Sequence, residues 1–171
     1  GKRIIPGVGA ELLVDGGVYL TICHSSTVVH LLEEARKTGA YFSLYVAETR
    51  PRYQGRTTAK ELLDAGFDDV TMIVDDVAVS LIEGRRGTID AVFIGADLLT
   101  QKGFVNKIGS LAVVAAAYFA LQAPGVGGLD GLITQLSAQR GPGGLDYLRV
   151  IPDFSNQWDL AVAVFLMPIA V

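Results

Sequence analysis

Cysteine and histidine are both scarce in this chain of 171 residues. Cys23 is the only cysteine, so no disulfide can form within the chain and nothing indicates a cross-linked secreted scaffold. The two histidines, His24 and His30, are too few to support a metal cluster. His30 also falls within a helical pattern, where a structural role is the simpler interpretation. We therefore expect no metal site.

Charge and long apolar runs are also limited. Charged residues make up 19% of the chain and the formal net charge is −4, whereas a nucleic-acid surface shows a clustered basic excess. A membrane-spanning helix needs about 20 apolar residues, and the runs Leu111–Leu121 and Leu160–Val171 are shorter. Residues 1–10 lack the apolar core of a signal peptide. We expect a cytoplasmic protein with neither a nucleic-acid nor a membrane partner.

What the chain does contain is an alternation of short apolar runs with helical patterns between Val18 and Ala123. Half of its residues are hydrophobic, which is enough for one globular domain over residues 1–171. Strands so uniformly apolar are buried on both faces, as in a parallel sheet covered by helices on each side. The pattern predicts a doubly wound, Rossmann-like α/β fold. Its predicted strands are 18–22, 42–47, 70–74 and 91–94, with two more at 148–151 and 162–167.

Capping residues predict where the first helices begin and end. Ser25, Ser26 or Thr27 precedes a helical pattern that Gly39 is placed to stop. Thr58 with Glu61 has the spacing of a capping box, which predicts that the second helix starts at Thr58. An apolar helix is predicted from residue 110.

Polar residues follow each of the first four strands. In open parallel sheets, ligands bind beyond the carboxyl ends of the strands. The residues at these positions are Cys23 to Ser25, Glu48 to Arg50, Asp75 with Asp76, and Gly95 to Asp97. We expect Cys23, Arg50, Asp75 and Asp97 to lie along one edge of the sheet. The alternative is that they serve only as caps and turn formers.

Cys23 ends a strand just ahead of a helix. The helix dipole and free backbone N–H groups at such a place stabilise a thiolate, which makes Cys23 a candidate reactive group. The alternative is a small buried core residue.

A second candidate element is the segment 48–58, which holds Arg50, Arg52 and Arg56 and a glycine before a helix. Guanidinium groups and helix N–H groups both suit a phosphate. Asn106 and Lys107 precede another helix and add an amide and a cation. The alternative is a solvated loop. Neither a G-x-G-x-x-G nor a Walker fingerprint follows a strand, so nucleotide binding gains no support from a motif.

Four segments resemble one known superfamily and occur in its order. They are Leu20–Ser25, Glu48–Leu62 with its arginine–proline pair, Gly95-Ala96-Asp97 and Asn106-Lys107-Ile108-Gly109. The sequence resembles the superfamily of ribose-1,5-bisphosphate isomerase, methylthioribose-1-phosphate isomerase and the α, β and δ subunits of initiation factor 2B. The resemblance runs from about Gly9 to Ala123, and the arginine–proline segment is its most specific part.

The resemblance implies residue roles. Isomerases of this superfamily use a cysteine and an aspartate at the strand ends, which match Cys23 as the base and Asp97 as the acid. The substrate's phosphate or hydroxyl groups would be bound by Arg50, Gln54, Gly55, Asn106 and Lys107. Such an isomerisation moves one proton between carbons and one between oxygens, and therefore needs no cofactor. We expect a small phosphorylated sugar as partner, and at least a homodimer.

Two other functions remain open. Initiation-factor subunits generally lack the cysteine or the aspartate, so the retained pair favours an enzyme over a regulatory subunit that binds nucleotide or sugar phosphate without turnover. The superfamily carries a helical domain ahead of this one, whereas about twenty residues precede the first predicted strand. The third hypothesis is therefore a bare Rossmann-like binding module with an incomplete site.

Overall fold

The computed structural model describes residues 4–83, 89–100, 103–121 and 162–166. Helices and strands alternate along the chain as the sequence predicts. In chain order they are α1 (Ile4–Ala10), β1 (Gly17–Ile22), α2 (Ser26–Lys37), β2 (Phe42–Ala47), α3 (Gln54–Asp64), β3 (Val70–Ile73), α4 (Asp75–Glu83), β4 (Ala91–Gly95), β5 (Leu98–Thr100), β6 (Gly103–Val105), α5 (Ser110–Leu121) and β7 (Val162–Leu166).

The main sheet has the strand order β3-β2-β1-β4-β7. Its first four strands are parallel, whereas β7 runs antiparallel to β4. The predicted Rossmann-like α/β fold is therefore confirmed, and so is a strand in the run 162–167. An antiparallel strand at the side of a parallel sheet is a common variation. The strand predicted at 148–151 lies outside the described residues.

Each face of the sheet has its own hydrophobic core. One core joins α2 and α3 to side chains such as Tyr19, Leu44 and Phe93, and the ring of Tyr19 lies 5.6 Å from that of Phe93. The other core packs α4 and α5 against residues such as Leu20 and Ile94. Side chains of a strand point alternately to its two faces, so an all-apolar strand fills both cores. The carboxyl ends of the strands are thereby fixed between two helical layers.

The boundaries of α2 agree with its predicted caps, whereas the start predicted for the next helix, α3, is wrong. Ser25 caps α2 through the N–H of Val28, and Gly39 follows its end with a φ of 90°. α3 begins at Gln54, four residues before Thr58. The residue before it, Tyr53, has a φ of 52° and makes no side-chain capping bond. The capping-box pattern misled because the Thr58 hydroxyl donates instead to another part of the chain.

Gly55 explains how α3 can begin so close to the sheet. A Cβ atom at this position would lie 1.8 Å from the carbonyl oxygen of Ala47, which ends β2. Only glycine allows the two backbones to approach this closely. The first turn of α3 is therefore pressed against the end of β2. None of the described helices is long and apolar enough to cross a lipid bilayer.

Candidate active site at the carboxyl ends of the strands

The parallel strands bring the candidate residues to one edge of the sheet. Cys23 follows β1, Arg50 comes three residues after β2, Asp75 begins α4 just beyond β3, and Asp97 follows β4. Because β1 pairs in parallel with both β2 and β4, these carboxyl ends lie side by side. Asp97 and Lys107 lie close enough to Cys23 for their charges to act on its thiol.

Cys23 is held at three of its atoms by the segment 49–58. Its N–H donates to the Thr49 hydroxyl at 2.6 Å, and its carbonyl accepts from the Thr58 hydroxyl at 2.9 Å. Its sulfur donates to Oε1 of Gln54 at 3.2 Å. These bonds hold a backbone with a φ of 67°, which a residue with a side chain rarely adopts. Strained residues of this kind occur often at functional sites.

The surroundings of Cys23 act partly against the thiolate that its place ahead of a helix favours. Burial is the largest effect and raises its pKa, as does the charge of Asp97. The His24 N–H and the Lys107 charge act in the opposite direction and lower the pKa. The residue is 3% exposed, and α2 begins three residues later, at Ser26. Desolvation of the charged form therefore outweighs the helix terminus.

The arginine segment is organised by a residue that sequence reasoning did not single out, Glu48. Its carboxylate accepts from Nε of Arg50 at 2.6 Å and from Arg56 at 3.3 Å. The hydrogen bond from Arg50 is the main cause that holds the pKa of Glu48 below its ordinary value. Both guanidinium groups also lie over the ring of Tyr53, with centroid distances of 5.2 and 4.1 Å. The signal available in the sequence was a glutamate directly after a strand and beside a cluster of arginines.

Asp75 also has a role that the sequence left open. Its carboxylate accepts from the backbone N–H of Thr49 at 2.7 Å and from that of Arg50 at 2.8 Å. Thr49 has a φ of 60°, so Asp75 holds a strained loop in place. Arg52 is exposed in the same loop and has no ion-pair partner among residues 4–83, 89–100, 103–121 and 162–166.

Asp97 and Lys107 form a direct ion pair on the other side of Cys23. The N–H of Asp97 donates to the carbonyl of Val105 at 2.8 Å, which joins the two ends of the β5–β6 hairpin. The side chain of Asp97 is 46% exposed. The amide of Asn106 donates to the hydroxyl of Ser110 at the start of α5.

His24 lies beside these groups and continues the hydrogen-bond network of Thr58. Its Nδ1 is 3.1 Å from the Thr58 hydroxyl, and its Nε2 is 3.8 Å from a carboxylate oxygen of Glu61. Because the hydroxyl already donates to Cys23, it accepts here, and Nδ1 therefore carries the proton. Within the described part of the chain, no group of three His, Cys, Asp or Glu residues could hold a metal ion.

Residues 2–120 match the Initiation factor 2 subunit family. The chain belongs to this family. It is 35% identical over 117 residues to a ribose 1,5-bisphosphate isomerase of Archaeoglobus fulgidus, a match that covers 68% of this chain and 36% of that protein. It is 40% identical over 119 residues to a methylthioribose-1-phosphate isomerase of Fervidobacterium nodosum, covering 64% of this chain and 33% of that protein.

Solved structures agree with this family membership. The translation initiation factor eIF-2B of Pyrococcus horikoshii superposes with a TM-score of 0.64 at 29% identity, over 69% of this chain and 42% of that one. The chain spans about a third of the length of the curated relatives it matches. The family thus includes proteins named as isomerases and others named as initiation factors, and the chain is a distant homologue of the sugar-phosphate isomerases.

Proposed function

We propose that this chain is the catalytic part of an aldose–ketose isomerase that acts on a phosphorylated pentose. The observation that carries the proposal is the placement of Cys23 and Asp97 at the ends of neighbouring strands, where the charge of Asp97 acts on the thiol. The relatives named as isomerases support the same class of reaction. The substrate would be similar to ribose 1,5-bisphosphate or methylthioribose 1-phosphate.

The bonding in the unliganded site suggests how Cys23 and Asp97 divide the work. Lys107 pairs with Asp97 and its charge lowers the pKa of the Cys23 thiol, whereas burial raises that pKa. Cys23 would take the proton from the substrate carbon, and Asp97 would protonate a sugar oxygen, which are the roles that the resemblance implies. Lys107 would stabilise the negative charge that develops on the sulfur or on the substrate oxygens.

Substrate binding would rest mainly on the phosphate group. Arg50 and Arg56 are already oriented by Glu48 and Tyr53, so a phosphate that approaches them meets guanidinium groups held in place. Gly55 would contribute by letting α3 begin against the end of β2, which places Gln54 beside the ligand. The other residues proposed to bind phosphate or hydroxyl groups are Gln54, Asn106 and Lys107.

An assay of ketose formation tests this proposal. The chain would be incubated with ribose 1,5-bisphosphate and, separately, with methylthioribose 1-phosphate, and the product would be identified by NMR. We expect ketose from one of the two without added metal or cofactor. Ketose from neither, although both bind, would contradict the proposal.

A second candidate function is binding of nucleotide or sugar phosphate without turnover, as in a regulatory subunit. One observation favours it: the side chain of Asp97 is 46% exposed, so this group is not enclosed for catalysis in this state. Binding of a sugar phosphate without ketose formation is the result expected for this function.

We also propose that the chain associates as at least a homodimer. Ile108 and Leu111, at the start of α5, are 79% and 81% exposed. Large apolar side chains at adjacent exposed positions are typical of surfaces that another protein covers. Sedimentation at micromolar concentration distinguishes a dimer from a monomer.

A further inference from the structure

The contact between Cys23 and Gln54 joins a residue proposed for catalysis to one proposed for substrate binding. The sulfur of Cys23 donates to Oε1 of Gln54 at 3.2 Å. A hydrogen bond that the thiol donates exists only in the protonated form, so it favours that form over the thiolate. The amide oxygen of Gln54 therefore affects the protonation of the thiol as well as the packing around it.

The fold gives Gln54 this position. Gln54 is the first residue of α3, and Gly55 lets that first turn approach to within contact of the end of β2. β2 is the neighbour of β1, which Cys23 follows, so the side chain of Gln54 reaches the thiol across adjacent strands. If α3 began at Thr58, as the sequence predicts, Gln54 would not lie on a helix.

Charged groups also face the thiol from the other side. Lys107, before α5, lowers the pKa of Cys23, whereas Asp97, after β4, raises it. On the side of α3, the His24 ring contacts the Thr58 hydroxyl and Glu61 rather than the sulfur. Gln54 is thus the one side chain that hydrogen-bonds to the sulfur within the described residues.

We propose that Gln54 is a positioning residue, whose amide oxygen favours the protonated form of the Cys23 thiol in the unliganded site. The role of Gln54 in catalysis rests on the proposed isomerase function, whereas its effect on the thiol does not. The amide nitrogen of Gln54 makes no bond to the described parts of the chain, so it remains able to donate to a substrate oxygen. One side chain would then orient both the thiol and the sugar.

Alkylation of the full chain by iodoacetamide tests this proposal, because Cys23 is the only cysteine and the reaction needs no turnover. The rate is measured against pH, and its midpoint reports the pKa of the thiol, since only the thiolate reacts. Gln54→Glu places a negative charge beside the sulfur and is expected to raise the midpoint by about one unit, which means about tenfold slower alkylation below it. Gln54→Ala removes the acceptor and is expected to lower the midpoint, with about threefold faster alkylation.

Thr57→Glu and Thr57→Ala are the matched controls, because Thr57 is exposed on the same helix. They introduce the same groups and are expected to leave the midpoint within about 0.2 units. A merely structural role of Gln54 would loosen the site and move both Gln54 variants in the same direction. Shifts of the same sign, or equal shifts in the Thr57 variants, would overturn the proposal. Shifts of opposite sign with no ketose formed would uphold it and contradict only the isomerase function.

Discussion

Cys23 and Asp97 follow neighbouring parallel strands, yet Cys23 is 3% exposed whereas the side chain of Asp97 is 46% exposed. Around Cys23, the segment 48–58 contributes hydroxyl groups, an amide and a buried carboxylate that hold one another in place. Around Asp97, one ion pair to Lys107 and a backbone bond to Val105 are the contacts described.

The difference lies in what fixes each group. The Cys23 side of the site, which consists of Cys23 and the segment 48–58, is fixed by hydrogen bonds within this chain. Several of these bonds are at positions with positive φ, so the geometry exists before a ligand arrives. The Asp97 side of the site, which consists of Asp97 and the segment 105–111, leaves large apolar residues exposed to solvent, among them Val105, Ile108 and Leu111. We infer that the Cys23 side is preorganised, whereas the Asp97 side carries the exposed apolar residues proposed above for self-association.

The largest effect on stability is expected where α3 meets β2. Gly55→Ala would place a Cβ atom 1.8 Å from the carbonyl oxygen of Ala47. We expect a loss of about 3 kcal/mol in the free energy of unfolding, the upper range for an overpacked site. Urea unfolding followed by circular dichroism measures it. Gly7→Ala is the control, because a Cβ there meets nothing within 4 Å. Equal midpoints for the two variants would show that α3 does not depend on this close approach.

The next effect concerns binding of phosphate on the Cys23 side. Arg50→Ala removes a guanidinium that Glu48 holds at 2.6 Å, and charge-assisted contacts of this kind are strong. We expect binding of ribose 1,5-bisphosphate to weaken by about ten- to a hundred-fold, measured by calorimetry. Arg52→Ala, in the same loop, is the control and is expected to change the affinity by less than about threefold. Equal losses would mean that only the net charge of the loop matters.

Low pH should destabilise the folded chain through protonation of Glu48 on the Cys23 side. Its pKa in the folded protein is lowered, so its stabilising contribution is present above the ordinary value of about 4.3 and is lost as the pH falls through the folded pKa. The free energy of unfolding of the wild-type chain should therefore fall more steeply below about pH 4 than that of Glu48→Gln. Glu33→Gln, on α2, is the control and should retain the steep fall. Parallel pH profiles for Glu48→Gln and the wild type would contradict this account.

The smallest effect on folding is expected on the Asp97 side. Leu111→Glu changes a side chain that is 81% exposed, so the free energy of unfolding should change by less than about 0.5 kcal/mol. Self-association should nevertheless be lost, and sedimentation should show a monomer. Val14→Glu, at a residue 52% exposed before β1, should remain associated. A Leu111→Glu chain that sediments like the wild type would remove this surface from the interface.

The sequence predicts well which residues lie at the edge of the sheet, but it predicts poorly the hydrogen bonds and ion pairs among them. Apolar runs such as 42–47 and 91–94 are recognisable because burial on both faces demands them. The start of α3 and the role of Glu48 are harder to recognise, since the first depends on the close approach of α3 to β2 and the second on how the loop brings two arginines to one carboxylate. The state of Cys23 shows the same limit. A helix ahead favours a thiolate, but burial and the carbonyl of Gln54 act against it.

The account depends most directly on proton transfer by Cys23 and Asp97. Cys23→Ser and Asp97→Asn should each lower the rate of ketose formation by at least about 100-fold. The dissociation constant of the sugar phosphate should change by less than about threefold, because Arg50 and Arg56 persist in both variants. Single-turnover kinetics with calorimetry on the same samples separates the two effects. Full turnover in Cys23→Ser would show that Cys23 is a packing residue and would contradict the proposed chemistry.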